Sequence, residues 1–314
     1  MITSPLCDLL GIKYPLFQGG MAWIADGRLA AAVSEAGALG IVAAGNAPAD
    51  YVREQIHIAR SLTDRPFGLN IMLMSPFADD VARVASEEKV SVITTGAGNP
   101  SKYMDSWLAA GIRVIPVVAS VGMAKLMTRV GASAVIAEGG ESGGHVGELT
   151  TMVLVPLVRD ATDLPVIAAG GIADGRGVAA AFMLGACGVQ VGTRFLSAEE
   201  CPIHPVYKEK ILKANDLATM VTGKRLGHPV RSLRTKFARN YAKCEYSSMP
   251  DEELEKLGTG ALRLAVQEGD LENGCFLSGQ IAAMVSKIEP AADIVRDIME
   301  SAEPVLKGAS SWVG

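Results

Sequence analysis

Short apolar runs recur along the first two thirds of the chain, and stretches with helical spacing separate them. Each run is continuously apolar rather than alternating, which is typical of parallel strands buried on both faces. We therefore predict eight strands within the segments PLFQGG (15–20), LGIVAAG (39–45), FGLNIML (67–73), SVITTGAG (91–98), RVIPVVAS (113–120), AVIAEGG (134–140), PVIAAGG (165–171) and GVQVGTRF (188–195).

The segments between these runs, such as DGRLAAAVSEAG and GRGVAAAFMLGA, have the spacing of helices. Eight strand–helix units predict a closed (β/α)8 TIM barrel, and the alternative is an open, doubly wound sheet. Glycines favour the barrel, because they follow or close most of the runs. In a barrel these glycines gather at the C-terminal rim, where barrel enzymes keep their active sites.

The pattern changes after residue 196, where VYKEKILKAND, PDEELEKLGTGALRLAVQEG and EPAADIVRDIMESAEPVLKG have helical spacing. No internal repeat or low-complexity linker separates these segments from the barrel. We therefore predict a (β/α)8 barrel over residues 1–196. Residues 197–314 are expected to form a helical cap over the barrel mouth and a closing C-terminal helix packed on the barrel.

Composition narrows the possible functions. The 314 residues carry a net charge of −5, so no overall basic character indicates a nucleic acid or a membrane surface as partner. The N-terminus lacks the pattern of a signal peptide, and no apolar stretch reaches the ~18 residues of a membrane helix. The five scattered cysteines never stand in CxxC spacing. We expect a cytoplasmic protein with reduced thiols and no metal site.

Two pairs of residues at the ends of the last two runs predict a phosphate site. Gly170 and Gly171 end run 7, and Gly192 with Thr193 ends run 8. In barrels the loops after strands 7 and 8 commonly bind phosphate through backbone N–H groups. Each pair alone could equally make a tight turn. No Walker A or GxGxxG segment offers a competing nucleotide site.

The end of run 1 predicts a second cofactor surface. Gly20, Met21 and Ala22 offer backbone contacts to a flat ring. Asn70 is a single amide in an apolar strand. It is either a buried residue bonded to backbone or a contact to the edge of a heteroaromatic ligand, since an amide both donates and accepts hydrogen bonds.

The segment EGGESGGHVG at 138–147 places one histidine among five glycines. The glycines leave room for a ligand beside His145, which makes it the candidate catalytic residue. His57, His204 and His228 have weaker contexts, and no second ligand stands at metal spacing. Glu138 is favoured as an acceptor for a cofactor N–H over a general acid–base pair with Glu141.

A basic stretch without acidic residues covers 217–244. It is either a solvated or inter-subunit face, or a docking patch for an anionic partner such as a nucleotide, a phosphopantetheine arm or an acidic carrier protein. Its seven cations are Lys224, Arg225, Arg231, Arg234, Lys236, Arg239 and Lys243.

Five motifs in this order resemble one family. QGGMAW, FGLNIML, AEGGESGGHVG, AAGGI and QVGTRF are similar to the flavin-dependent barrel group that contains nitronate monooxygenases and FMN-dependent enoyl-acyl-carrier-protein reductases. The resemblance spans essentially the whole chain. GGM in place of APM, the segment VTGKRLGHPVRSL, and the tail GTGALRLAVQEGD with SGQIAAMV favour the reductase branch of the FabK type.

The resemblance implies bound FMN, with NADH or NADPH as co-substrate. Its phosphate would lie at Gly170, Gly171, Gly192 and Thr193, and Gln190 falls in the matching QVGT segment. The ring would rest against Gly20, Met21 and Ala22, and its polar edges would meet Asn70, Glu138, Gly143 and Gly144. Position 138 departs from the monooxygenase pattern, which usually has Gln there.

The activity implied is reduction of a trans-2-enoyl thioester, in which His145 polarises the thioester carbonyl or supplies the proton. An acyl carrier protein would dock near Arg231 and Arg234, and we expect a homodimer. The alternatives are O2-dependent oxidation of nitronates with His145 as base, a non-catalytic flavin-binding module, and a phosphate-sugar isomerase without flavin.

Overall fold

The computed structural model describes residues 2–313, and its strands follow the predicted runs. Within those residues the strands, in chain order, are β1 (Leu16–Gln18), β2 (Ile41–Ala43), β3 (Gly68–Met72), β4 (Val92–Gly96), β5 (Arg113–Val118), β6 (Val135–Glu138), β7 (Gly144–His145), β8 (Val166–Ala169), β9 (Gly188–Val191), β10 (Thr219–Thr222) and β11 (Val230–Leu233).

Helices follow most of the strands. They are α1 (Pro5–Leu10), α2 (Gly27–Glu35), α3 (Ala49–Leu62), α4 (Ala78–Glu87), α5 (Ser101–Ala109), α6 (Val121–Arg129), α7 (Thr151–Arg159), α8 (Gly175–Met183), α9 (Pro205–Leu212), α10 (Lys236–Glu245), α11 (Asp251–Gly258), α12 (Ala261–Arg263) and α13 (Ala291–Gly308). Short 3-10 helices cover Thr193–Ser197, Gln280–Met284 and Ala309–Trp312, and a π-helical turn covers Leu264–Glu268.

Eight parallel strands form the predicted barrel. Their order is β1-β9-β8-β6-β5-β4-β3-β2, and a parallel bridge between Phe17 and Leu39 joins its two ends. Each of the eight predicted runs contains one of these strands, so the barrel prediction is confirmed and the open sheet is excluded. The chain is a (β/α)8 TIM barrel.

The two faces of each strand explain why the runs are apolar throughout. In β8, Ile167 and Ala169 pack in a cluster with Phe17 and Ile136, while Val166 and Ala168 pack with the surrounding helices. Successive side chains of a strand point to opposite faces, and here both faces are buried. A continuous apolar run is therefore what such a strand requires.

Seven helices, α2 to α8, connect successive barrel strands, and α13 completes the ring. α13 packs against α8 and α2, and the backbones of Gly175 and Ala302 approach so closely that a Cβ on the glycine would lie 2.2 Å from the Ala302 nitrogen. The side chains of Asp26, Ser120 and Asp174 cap the N-termini of α2, α6 and α8. Within residues 2–313, no helix is both long and apolar enough to cross a membrane.

The segment between β9 and α13 is not purely helical, which corrects the expectation of a helical cap. β10 and β11 form an antiparallel hairpin, and β11 also pairs with β7 from the loop after β6. The strand sequences TMVT and VRSL are short and only partly buried, so neither shows the long apolar run that marks the barrel strands. This three-stranded sheet ties the C-terminal part of the chain to the segment that carries His145.

Candidate active site

A cavity of about 520 Å³ opens at the C-terminal ends of the barrel strands. It brings together all the catalytic and cofactor-binding residues proposed from the sequence, which come from five separate segments of the chain. The predicted site residues that line it are Gly20, Met21, Ala22, Asn70, Glu138, Gly143, Gly144, His145, Gly170, Gly171, Gln190, Gly192 and Thr193. Among the described residues, no group of three or more His, Cys, Asp or Glu side chains is arranged to hold a metal ion.

The ends of β8 and β9 present backbone donors without acceptors. Within residues 2–313, the N–H groups of Gly170, Gly171, Gly192 and Thr193 donate to no other protein group. Gly170 and Gly171 both have positive φ, 96° and 71°, which turns the chain at the cavity wall. Unpaired N–H groups at a strand end attract an anion. These residues therefore fit a phosphate group such as that of FMN.

Thr193 also connects this phosphate end of the cavity to the C-terminal part of the chain. Its hydroxyl oxygen accepts a hydrogen bond of 2.8 Å from the backbone N–H of Gly279, and the hydroxyl hydrogen stays available to a ligand. Ser278 and Gly279 line the cavity as well. In the sequence their SGQ segment served only as a family feature, so these two residues were missed as part of the site.

The floor of the cavity fits a flat ring. Gly20 lies against Asn70, and a Cβ on Gly20 would come within 2.3 Å of the Asn70 Cβ. The Asn70 side-chain amide nitrogen donates to the Thr94 hydroxyl at 3.0 Å, and no described residue donates to its side-chain Oδ1, whereas its backbone carbonyl accepts from the Ala44 N–H. Of the two interpretations of Asn70, bonding of its side chain to backbone is wrong, and the residue lines the cavity.

Glu138 is the carboxylate at the end of β6, and its environment favours the protonated form. The side chain is only partly accessible and lines the cavity. Burial raises its pKa to about 7, although a hydrogen bond from Ser142 acts in the opposite direction. Near neutral pH this group therefore exists in both forms and can either accept a hydrogen bond from a ring N–H or donate one.

The His145 segment is a short strand rather than a free loop. β7 pairs with β11, so that His145 lies opposite Val230 and Gly144 lies opposite Arg231. Gly143 packs against the backbone of the neighbouring segment, and a Cβ there would lie 2.6 Å from the Gly279 nitrogen. The expectation that this glycine only leaves room for a ligand is therefore incomplete, because close backbone packing also requires it.

His145 lies beside a second histidine, His228, whose sequence context made it a weaker candidate. Both His145 and His228 line the cavity, and the side chain of each is partly open to solvent. Partial burial, and next the charge of His228, lower the pKa of His145. The imidazole of His145 is therefore neutral at neutral pH, with one N–H donor and one acceptor nitrogen. The GHP turn within the basic stretch was the available signal for His228.

Glu141 has a structural role instead of the acid–base role considered for it. Its carboxylate accepts from the Thr151 N–H at 3.0 Å and contacts the Thr151 hydroxyl at 3.0 Å. Its own backbone carbonyl accepts from the Gln280 N–H at 2.9 Å. Glu141 thereby attaches the glycine-rich segment to the start of α7 and to the C-terminal part of the chain.

The basic stretch divides into internal and exposed cations. Arg231 is turned inward and donates to the Gly140 carbonyl, while Arg225 pairs with Asp251 and Lys236 pairs with Glu272. Acidic residues from elsewhere in the chain therefore neutralise part of the stretch. Lys224, Arg234, Arg239 and Lys243 are exposed and form no salt bridge with a described residue.

A family model described as "Nitronate monooxygenase" matches residues 3–87 and 75–301. The chain belongs to the nitronate monooxygenase family. This family consists of flavin-dependent oxidoreductases, and the phosphate end, the ring floor and the Glu138 carboxyl all fit such a cofactor.

Individual relatives are similar to this chain along nearly their whole length. FabK from Thermotoga maritima is 51% identical, with a TM-score of 0.97 and full coverage of both chains. A curated relative from Mycobacterium tuberculosis, (3aS,4S,5R,7aS)-5-hydroxy-7a-methyl-1-oxo-octahydro-1H-indene-4-carboxyl-CoA dehydrogenase, is 32% identical over 99% of each chain. A probable nitronate monooxygenase of Staphylococcus aureus is 29% identical over 96% of this chain and 98% of its own. The resemblance to the FabK type is confirmed.

Proposed function

We propose that this protein is an FMN-dependent enoyl-acyl-carrier-protein reductase that uses NADH or NADPH to reduce trans-2-enoyl thioesters. The observation that carries the proposal is the combination of His145, Glu138 and the unpaired N–H groups of β8 and β9 in one cavity, in a chain 51% identical to FabK. The Mycobacterium relative supports a thioester substrate, because its name describes action on a carboxyl-CoA.

The proposed binding mode uses each end of the cavity for one part of the cofactor. Gly170, Gly171, Gly192 and Thr193 would hold the phosphate through their free N–H groups. Asn70 and Glu138 would hold the polar edges of the ring. When bound, FMN supplies the two-electron chemistry that links a nicotinamide nucleotide to the enoyl double bond.

His145 would act on the thioester carbonyl. Because its pKa is lowered, the neutral imidazole donates one N–H hydrogen bond to the carbonyl oxygen and does not begin the reaction as a cation. This hydrogen bond stabilises the negative charge that develops on the oxygen as the β-carbon gains electrons. Pairing of β7 with β11 fixes the backbone of His145 beside the cavity.

Oxidation of nitronates with O2 is the second candidate, and the family assignment and the Staphylococcus relative favour it. In that reaction neutral His145 would accept the proton next to the nitro group. Glu138 is the feature that argues against this reaction, since monooxygenases resembling this chain usually have Gln there.

One anaerobic experiment separates the two candidates. Protein reconstituted with FMN is mixed with NADH or NADPH and then with trans-2-butenoyl-CoA, while the flavin absorbance is followed. We expect bleaching by the nicotinamide nucleotide and recovery on addition of the thioester. Absence of bleaching, together with turnover of a nitronate in a parallel assay in air, would select the monooxygenase.

We also propose that the carrier protein docks on the exposed cations of the basic stretch. Arg231 is removed from this proposal, because its guanidinium is engaged inside the protein. Arg234 stays in it together with Lys224 and Lys243. Charge reversal at Arg234 should weaken turnover of enoyl-carrier protein more than turnover of enoyl-CoA. Equal losses would contradict docking at this surface.

A further inference from the structure

Three methionines line the cavity on the side opposite the phosphate end. Met72 ends β3, Met74 follows it, and Met123 lies in the first turn of α6 after β5. In the strand order, β3 and β4 stand across the barrel from β8 and β9. The cavity therefore extends from polar backbone donors at one end to thioether side chains at the other.

The end of β4, between these methionines, leaves part of the cavity floor unfilled. Gly96 is the last residue of β4 and lines the cavity. No heavy atom outside its own chain neighbours lies within 4 Å of the position that a Cβ on Gly96 would take. Its φ lies outside the left-handed range, so its backbone would accept any residue.

The methionine end of the cavity, lined by Met72, Met74 and Met123, borders the segment that carries His145. Gly147, which follows His145 in the same segment, packs against Ala119 after β5, where a Cβ on Gly147 would lie 3.0 Å from the Ala119 Cβ. A substrate whose carbonyl contacts His145 thus has the ends of β3, β4 and β5 beside it. The residues lining that side carry no charged group, whereas Glu138, Glu141, His145 and His228 line other parts of the cavity.

We propose that Met72, Met74, Met123 and the open floor at Gly96 form the subsite for the apolar acyl chain of the substrate, an inference that rests on the proposed function. Unbranched thioethers adapt to chains of different length. Phosphates of a nicotinamide nucleotide would find no cation there. Met74 is 54% exposed, so the far end of the subsite is open to solvent and a long chain is not blocked.

The direct test is the substitution Gly96→Val, which places a side chain in the open space of the cavity floor. Its matched control is Gly122→Val on the exposed surface of α6. Turnover of trans-2-butenoyl-CoA and trans-2-decenoyl-CoA is compared for both variants and the wild type. Since each buried methylene contributes about fourfold to binding, G96V should lower kcat/KM for the decenoyl substrate by roughly 10-fold or more. Its kcat/KM for the butenoyl substrate should change less than about twofold, and G122V should resemble the wild type with both.

A second variant keeps the test valid if G96V does not fold or does not retain flavin. Met74→Ala removes apolar contact with the acyl chain without adding volume. It should therefore reduce the ratio of kcat/KM for the decenoyl substrate to kcat/KM for the butenoyl substrate. Equal losses for both chain lengths in G96V would overturn the proposal. A change confined to the KM for NADH or NADPH would also overturn it, because the methionine end would then bind the nucleotide.

Binding without turnover separates failure of the subsite from failure of the proposed function. Butyryl-CoA and decanoyl-CoA are titrated into the oxidised holoenzyme by calorimetry. If the wild type reduces no enoyl thioester, the proposed function fails. If the wild type reduces butenoyl-CoA but decanoyl-CoA binds no more tightly than butyryl-CoA, only the acyl subsite fails.

Discussion

Arg231 donates two hydrogen bonds, of 2.9 and 3.1 Å, to the carbonyl oxygen of Gly140. The same residue pairs through its backbone with Gly144. One residue of β11 therefore holds the glycine-rich segment on both sides of its turn. Burial lowers the pKa of the Arg231 guanidinium, and the charge of Glu141 partly offsets that effect.

Arg231→Lys should loosen the segment that carries His145. A lysine ammonium cannot donate the two parallel hydrogen bonds that the guanidinium makes to one carbonyl. Loss of a hydrogen bond from a charged group costs about 1.5–3 kcal/mol of stability. We expect a lower unfolding midpoint in urea and at least a ~10-fold lower kcat for enoyl reduction, because a displaced catalytic group loses rate steeply. With trans-2-butenoyl-CoA as the substrate, Arg234→Lys is the control, since Arg234 is exposed. Equal effects of both substitutions would contradict the assigned role.

Glu138 should make the stability of the flavin-free protein depend on pH. Its pKa is about 7 in the folded protein against a reference value of 4.5, so the folded state binds more protons between these values. The contribution is fully present below about pH 4.5 and is lost as the pH rises through about 7, at up to about 3 kcal/mol.

Glu138→Gln removes this titration. Thermal unfolding of the flavin-free variant should show little change between about pH 5 and 8, whereas the wild type should lose stability over that range. The two proteins should differ most at the alkaline end, where the variant is the more stable one. Parallel pH profiles for the two proteins would show that Glu138 has an ordinary pKa.

His145→Ala should separate the two halves of the proposed reaction. Loss of the imidazole removes the hydrogen bond to the thioester carbonyl, so reoxidation by butenoyl-CoA should slow by about 10²–10³-fold. Bleaching by NADH or NADPH and the retention of flavin should stay close to wild type, since neither involves the carbonyl. Stopped-flow absorbance measures both phases. Equal slowing of both phases would place His145 in flavin or nucleotide binding.

The electrostatic interaction between His145 and His228 predicts that removal of His228 changes the pKa of His145. Because the charge of His228 lowers the pKa of His145, His228→Gln should raise it toward the ordinary value for histidine. Titration of the imidazole resonances by NMR measures the change. An unchanged pKa of His145 would mean that the two imidazoles do not interact.

The barrel could be predicted from the sequence because each strand is buried on both faces, and a continuous apolar run such as PVIAAGG is typical of such a strand. The position of the strand-end glycines at one rim followed from the same pattern, since parallel strands bring their C-terminal ends together. His228 and Gly279 were missed because their place in the site depends on the pairing of β11 with β7 and on the approach of residue 279 to Gly143. Such contacts between distant segments leave no local pattern. The inward direction of the Arg231 side chain was missed for the same reason, since nothing in VRSL indicates it.

A buried ion pair attaches the closing helix to the barrel. Arg194, in the 3-10 helix after β9, contacts Glu289, which immediately precedes the N-cap of α13, and the two side chains are only 7% and 6% exposed. Burial raises the pKa of Glu289, but bonds from Lys287 and Arg194 outweigh this and hold it below its usual value. The carboxylate is therefore charged and paired near neutral pH.

Glu289→Ala should leave the Arg194 charge buried without this partner. Breaking a buried pair by removing one side costs about 3–5 kcal/mol, whereas replacing both sides with apolar groups is often nearly neutral. The single variant should therefore unfold at clearly lower urea concentration, and the double variant Arg194→Met with Glu289→Leu should recover most of the loss. The measurement is urea unfolding of the flavin-free proteins, with Arg194→Met and Glu289→Leu as the single variants that complete a double-mutant cycle. A loss below about 1 kcal/mol in the single variant would mean that water or Asp297, whose carboxylate lies 3.7 Å from the guanidinium, compensates the charge.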